Sequence, residues 1–77
     1  MKIILEFPGF LQLTTVESGG TMELEAGKTV AHLLGAFSIS SDHQRYIIPI
    51  VNQEEKRLDY ELQNGDHLFL YVPVGGG

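Results

Sequence analysis

The chain has 77 residues, of which 43% are hydrophobic and 19% charged, with no cysteine and no tryptophan. A chain of this length forms at most one domain with one small core, which argues strongly against a two-domain enzyme with its own cleft. The absence of cysteine excludes disulfides, thiolate metal sites and a cysteine nucleophile. The net charge of −5 argues against a nucleic-acid partner, because neutralising phosphates requires clustered lysine or arginine.

The hydropathy pattern indicates a cytoplasmic domain that binds no membrane. No apolar run approaches the roughly 20 residues that a membrane helix requires. The start at Met1-Lys2 shows no secretory signal. The apolar content is enough for a core, so the composition also argues against disorder. One local excess stands out, since three of the nine glycines are the final residues, Gly75-Gly76-Gly77.

The first third of the chain alternates apolar and polar residues at the two-residue period of strands. Residues 3–7 predict a first strand, which the Pro-Gly pair at residues 8–9 interrupts or bends. Residues 10–15 are apolar and β-branched, and they continue an extended path. Residues 18–20 predict a turn, and residues 21–25 predict a second strand, antiparallel to the first.

One helix is predicted in the middle of the chain. Thr29 is a candidate N-cap. The apolar residues that follow recur at the spacing i, i+3, i+4 and i+7, which predicts a helical stripe facing a core. These residues are Val30, Leu33, Leu34 and Phe37. We expect the helix to end near residues 37–38 and a polar loop to span residues 38–44.

A third strand is predicted over residues 46–51. Pro49 lies inside it, which favours an edge strand or a bulge, because proline cannot donate a ladder hydrogen bond. Residues 52–56 are predicted to be a charged turn. An irregular segment follows, with Leu58 and Leu62 as its expected core anchors.

The last strand is predicted over residues 67–72, after a tight turn at Asn64-Gly65. Pro73 ends it. The order strand, strand, helix, strand, strand predicts an α+β fold with one helix covering one face of a mixed sheet. The other face of the sheet is then left to water or to a partner.

The second half of the chain carries motifs that together resemble the ThiS/MoaD sulfur-carrier proteins, which are small ubiquitin-like β-grasp domains. The motifs are Val51-Asn52, Leu62, Gly65-Asp66, the apolar residues 68–72 and the end Gly76-Gly77. The resemblance covers nearly the whole chain, and its specificity comes from the joint occurrence of these motifs. The ending Pro-Val-x-Gly-Gly and the chain length are closer to MoaD than to ThiS.

The resemblance implies a ubiquitin-like β-grasp domain over residues 1–74 and a flexible glycine tail over residues 75–77. It also implies that an adenylating enzyme of the ubiquitin-activating-like MoeB/ThiF type uses ATP to activate the Gly77 carboxylate. The product is then converted to a terminal thiocarboxylate, which gives its sulfur to a synthase. Molybdopterin is the favoured product and thiamine thiazole the next. The chain would bind no cofactor and would be a protein substrate rather than an enzyme, or the small subunit of a heteromeric synthase.

The tail has a physical logic of its own. Glycine has no Cβ, so Gly75, Gly76 and Gly77 can lie extended in a slot of a partner that is too narrow for other residues. A carboxylate is a poor electrophile until it is adenylated, and the tail places one at the end of an arm without side chains. The simpler interpretation is a flexible terminus without function.

A second candidate feature is a partner-docking surface formed by Phe69, Tyr71, Ile4 and Val74. If the leucines of the last strand face the helix, the strand period puts Phe69 and Tyr71 on the opposite face, together with Ile4. An exposed apolar patch beside a reactive tail suits a partner. The alternative is that the rings only cover the sheet, or that the register is shifted by one residue.

The remaining polar residues predict structure rather than chemistry. His32, His43 and His67 have no spacing typical of metal ligands, so no metal site is predicted. Asp66 is expected to be a turn-stabilising acceptor, and residues 54–57 a solvated turn. Two rival functions stay open, namely a protein modifier joined through Gly77 to target lysines and a β-grasp interaction module with an inert tail.

Overall fold

A computed structural model of the chain describes residues 1–8 and 18–73. The extended path predicted over residues 10–15 lies outside the described residues. The same is true of Val74 and of the glycine tail, so the boundary between domain and tail stays a prediction.

The described residues form five strands and two helices. The strands are β1 (Lys2–Glu6), β2 (Gly20–Glu23), β3 (Ile48–Val51), β4 (Glu54–Glu55) and β5 (His67–Tyr71), and the helices are α1 (Val30–Ala36) and α2 (Ser41–Gln44). All four predicted strands and the predicted helix are present, with ends that differ from the predicted ones by two residues at most. Neither α1 nor α2 is long and apolar enough to cross a bilayer.

The strands form one mixed sheet in the order β2-β1-β5-β3-β4. β1 pairs antiparallel with β2, as predicted, and parallel with β5. β5 pairs antiparallel with β3 on its other side. The α+β class with a mixed sheet is therefore confirmed, and β5 is its central strand.

The core lies between the sheet and α1. Alternate residues of β1 and β5 point into it, as their two-residue period predicts. The buried core side chains are Ile3, Leu5, Val30, Leu33, Leu34, Ile47, Val51, Leu62, Leu68 and Leu70. The predicted helical stripe supplies three of these, and its fourth member, Phe37, packs against their edge.

Thr29 caps α1 as predicted. The hydroxyl of Thr29 accepts a hydrogen bond from the backbone N–H of His32 at 3.2 Å, and the Thr29 N–H donates to Nδ1 of His32 at 3.1 Å. The two bonds make a reciprocal capping box, in which histidine takes the place usually held by glutamate or glutamine. His32 therefore has a structural role.

The predicted polar loop over residues 38–44 is wrong in part, because α2 forms within it. Ser40 has the extended conformation of an N-cap residue, and Asp42 lies in the first turn. Gln44 is buried, and its side-chain amide donates to the carbonyl of Ile39 at 2.9 Å. A helix of one turn with no apolar stripe leaves no periodic signal in the sequence.

The predicted charged turn over residues 52–56 is also wrong in part. Asn52 and Gln53 form a two-residue turn with positive φ angles of 52° and 72°. Glu54 and Glu55 then pair with β3 as a short strand. This turn geometry matches the right-handed twist of a hairpin, but its usual sequence signal is Asn-Gly, and glutamates are depleted in strands.

Pro49 does not lie in an edge strand, because β3 has neighbours on both sides. The carbonyl of Pro49 accepts from the N–H of Lys56 at 2.8 Å, so the ring nitrogen of Pro49 faces the same side. That side is the β4 side, one residue beyond the end of β4. The missing donor therefore interrupts only the end of the hairpin.

Two adjacent isoleucines of β1 test the register. Ile3 is 1% exposed and Ile4 is 36% exposed. We expect Ile3→Ala to lower the free energy of unfolding by about 2–5 kcal/mol, because it leaves a cavity in the core. Ile4→Ala is the matched control and should cost about 1 kcal/mol. Urea unfolding measures both, and equal losses would contradict the register.

Candidate functional site: the open face of the sheet

The face of the sheet opposite α1 carries an apolar patch. The patch consists of Ile4, Ile48, Ile50, Phe69 and Tyr71, and we call it the open-face patch. Ile4 and Tyr71 are exposed, at 36% and 45%, and the other three are half-buried. The sequence therefore correctly placed Phe69, Tyr71 and Ile4 on one face, whereas Val74 lies outside the described residues.

Strand pairing fixes which of these side chains are neighbours. Phe69 of β5 lies beside Glu6 of β1 on one side and beside Ile50 of β3 on the other. Tyr71 lies beside Ile48 in the same way. The rings of Phe69 and Tyr71 are tilted by 40°, with their centroids 6.3 Å apart.

A pocket of about 500 Å³ opens on this face at the end of the patch away from Tyr71. It is lined by Glu6, Ile50, Asn52, Gln53, His67 and Phe69. Nε2 of His67 lies 3.1 Å from Oε1 of Glu6, and the two side chains are 46% and 44% exposed. The pocket thus combines one carboxylate and one imidazole with an aromatic wall.

A hydrogen-bond network that includes Asn52, one of the residues lining the pocket, converges on the carboxylate of Asp66. Its Oδ2 accepts from the Gln63 N–H at 2.8 Å and from the Tyr60 hydroxyl at 3.1 Å, and its Oδ1 accepts from the Asn52 amide at 3.0 Å. The Asn52 amide oxygen in turn accepts from the His67 N–H at 3.0 Å. Burial raises the pKa of Tyr60, and its hydrogen bond to Asp66 raises it further.

The turn before β5 is also bound to β1. The Lys2 N–H donates to the side chain of Asn64 at 2.8 Å, and the Gly65 N–H donates to the Lys2 carbonyl at 2.7 Å. The Ile4 N–H donates to the Asp66 carbonyl at 2.9 Å. Gly65 has φ +87°, a left-handed conformation that side chains with a Cβ adopt at a cost. Glycine is therefore the residue that this turn accommodates without that cost.

The motifs that carry the resemblance meet at this place. Asn52 and Asp66 are hydrogen-bonded, and Val51 and Leu62 are buried beside them. Asp66 is an acceptor that stabilises the turn, as predicted, although it also reaches Asn52 across the sheet. These residues hold the start of β5, whereas the predicted reactive tail follows its other end.

The sequence does not predict the pairing of Glu6 with His67. Its alternating patterns place Glu6 in the first strand and His67 in the last, and nothing in them joins the two. No local pattern could have joined them, because parallel β1 and β5 are neighbours only in space. Among the residues that the structure describes, no group of three or more histidines and acids is placed to hold a metal ion.

Comparison with known proteins identifies the fold. No protein-family model matches the chain, and no curated protein matches it significantly. The solved structure of SAMP1 from Haloferax volcanii matches over 100% of both chains, with a TM-score of 0.69 and 21% sequence identity. The predicted ubiquitin-like β-grasp fold is thereby confirmed.

Asp66→Asn tests the network. If the asparagine oxygen keeps the bonds to Gln63 and Tyr60, its NH₂ group faces the NH₂ group of Asn52. Asn52 cannot turn, because its oxygen accepts from His67. At least one bond is therefore lost, and we expect the free energy of unfolding to fall by about 1–3 kcal/mol, measured by urea unfolding.

Asp59→Asn is the matched control for this substitution. The Asp59 carboxylate is 82% exposed and lies 3.9 Å from Arg57, so its removal should change stability by at most about 0.5 kcal/mol. An Asp66→Asn variant as stable as the Asp59→Asn variant would show that the network contributes nothing.

Proposed function

We propose that this chain is a sulfur carrier that works through the C-terminal carboxylate of Gly77. One observation carries the proposal: a chain with the ubiquitin-like β-grasp fold has the sequence Gly75-Gly76-Gly77 shortly after its central strand, β5. The motif residues of the resemblance, Asn52 and Asp66, meet in the structure, which supports it further.

The proposed reaction needs an activating enzyme. The Gly77 carboxylate attacks the α-phosphate of ATP, pyrophosphate leaves, and an acyl-adenylate forms. A persulfide sulfur then displaces AMP from the acyl carbon, and a thiol reductant splits the resulting S–S bond to leave the thiocarboxylate. The partner enzyme supplies the ATP site, so the chain acts as a substrate and not as a catalyst.

Two kinds of partner follow from this proposal. The first is an adenylating enzyme of the MoeB/ThiF type, and the second is a synthase that accepts the sulfur. Molybdopterin is the favoured product, because the ending Pro-Val-x-Gly-Gly resembles MoaD, and thiamine thiazole is the next. Both partners would act in the cytoplasm.

The open-face patch is the surface that we propose for docking the partner. Ile4, Phe69 and Tyr71 expose apolar area without contributing to the core, and β5 leads from them toward Val74 and the tail. A partner that covers this face would therefore be well placed to receive the tail in its active site. Apolar patches rimmed by polar residues are typical of protein interfaces.

The ubiquitin-like fold shared with SAMP1 supports one alternative function. In it, the adenylated Gly77 is transferred to the amino group of a target lysine, and the chain becomes a protein modifier. The activation step is common to both functions. They differ in the group that attacks the activated carbonyl, which is a persulfide in one case and an amine in the other.

The Gly77 carboxylate can be tested directly. With ATP and a cognate adenylating enzyme, the chain should support exchange of pyrophosphate into ATP, and a chain lacking Gly75, Gly76 and Gly77 should not. Thr21→Ala, an exposed change on the β2 edge, is the control and should exchange normally. Equal exchange by the chain without its glycine tail would exclude the carrier and the modifier, leaving an interaction module.

Mass spectrometry of the chain purified from its own cells separates the two remaining functions. A carrier should show an intact mass raised by the exchange of one oxygen for one sulfur. A modifier should instead give conjugates in which Gly77 is joined to lysines of other proteins.

Phe69→Glu tests the docking surface. A charge at the centre of an apolar interface is expected to weaken binding to the adenylating enzyme by about tenfold or more. The variant should still show the circular dichroism spectrum of the folded chain, because Phe69 is not a core residue. Ser41→Glu is the matched control, because it adds the same charge at an exposed position of α2, away from the open-face patch, and it should bind normally. Unchanged affinity of the Phe69 variant, measured by calorimetry, would exclude this surface.

A further inference from the structure

We propose that the pocket beside Phe69 binds the guanidinium group of an arginine that a partner protein presents. In this arrangement the Glu6 carboxylate is the ion partner of the arginine, and the Phe69 ring is its stacking surface. The inference deepens the proposed function, on which it rests for the identity of the partner: the docking partner carries an arginine that enters this pocket.

The charge of the pocket favours a cation. Glu6 is its one carboxylate, and none of the five lysines and arginines of the chain, all of which lie in the described residues, lines it. Within the part of the chain that the structure describes, the ion-pair partner of Glu6 is His67, which is charged only when protonated. A permanent cation from outside can therefore pair with a carboxylate that no permanent cation of the chain contacts.

Two lysines of the chain, Lys56 and Lys2, have acidic neighbours of their own. Nζ of Lys56 lies 3.4 Å from Glu54, and Lys2 is paired in register with Glu23 on β2. With the net charge of −5, the surface as a whole attracts a basic partner.

The aromatic wall favours arginine over lysine. Glu6 and Phe69 are direct neighbours across the β1–β5 pair, so one flat group can lie over the ring and meet the carboxylate with its edge. The guanidinium group is planar, offers paired N–H donors to a carboxylate and stacks on aromatic faces. The ammonium group of lysine offers no paired donors in one plane and stacks less well on an aromatic ring.

The remaining walls are held in place before binding. Both polar atoms of the Asn52 side chain are hydrogen-bonded: its nitrogen donates to Asp66, and its oxygen accepts from the His67 N–H. The turn at Gln53 is fixed by its hairpin, and Ile50 closes the apolar side. A preformed pocket spends little binding energy on ordering itself, and arginine is among the residues enriched in the buried centres of interfaces.

A small probe tests the pocket without any partner enzyme. The ¹⁵N-labelled chain is titrated with the peptide acetyl-Gly-Arg-Gly-amide at constant ionic strength. We expect saturable shifts with a dissociation constant on the order of 10 mM, confined to the amides of Glu6, Asn52, Gln53, His67 and Phe69. The peptide with citrulline in place of arginine has the same shape without the charge and should give no saturable shift.

Three variants and one further peptide complete the test. Glu6→Gln should abolish saturation, whereas Glu55→Gln, which removes the same charge from the same face outside the pocket, should leave it unchanged. Phe69→Leu should weaken binding several-fold, and the lysine peptide should bind several-fold more weakly than the arginine peptide. Equal shifts with citrulline, wild-type binding by Glu6→Gln, or no saturable shift at all would overturn the proposal.

The two proposals can fail separately. The peptide titration uses neither ATP nor Gly77, so a chain that binds the arginine peptide but is never adenylated refutes the carrier function alone. A chain that is adenylated through Gly77 but ignores the peptide refutes the arginine pocket alone.

Discussion

The two-sided pairing of β5 is the constraint on which the rest of the structure depends. Because β1 and β3 bind both of its edges, the strand cannot slide or rotate. Leu68 and Leu70 must then point into the core, and the strand period leaves Phe69 and Tyr71 no place except the opposite face. The same pairs that build the core thus create the open-face patch.

The start of β5 is held by hydrogen bonds to its neighbours on both sides. At its start, the buried carboxylate of Asp66 and the turn at Gly65 bind the strand to β1 and to the β3–β4 turn. The motif residues found there are scaffold, and their hydrogen bonds leave them no free group for chemistry. The anchored start and the pairing with β1 and β3 together fix the direction of β5 up to the last residues that the structure describes.

Much of the fold could be predicted from the sequence, because its signals are local. Alternation gave β1 and β5, and the apolar spacing after Thr29 gave α1 with its cap. The turn at Asn52-Gln53 and the single turn of α2 had no such signal. The turn adopts a backbone conformation usually marked by glycine, and the helix is too short to show an apolar period. For the site, period two placed Ile4, Phe69 and Tyr71 on one face, but the meeting of Glu6 with His67 required the parallel register. No local rule sets this register.

The hydrogen bond from the Lys2 N–H to Asn64 joins residues that are 62 positions apart. β1 and β5 can therefore pair only when a loop of nearly the whole described chain closes. The loss of chain entropy on closing this loop comes before the contacts that compensate for it. We therefore expect the domain to fold as a single unit and more slowly than a helical bundle of the same size. A nascent chain in which β5 has not yet docked lacks Leu68 and Leu70 of the core and Phe69 and Tyr71 of the open-face patch, so neither is complete until the last strand of the described chain is in place.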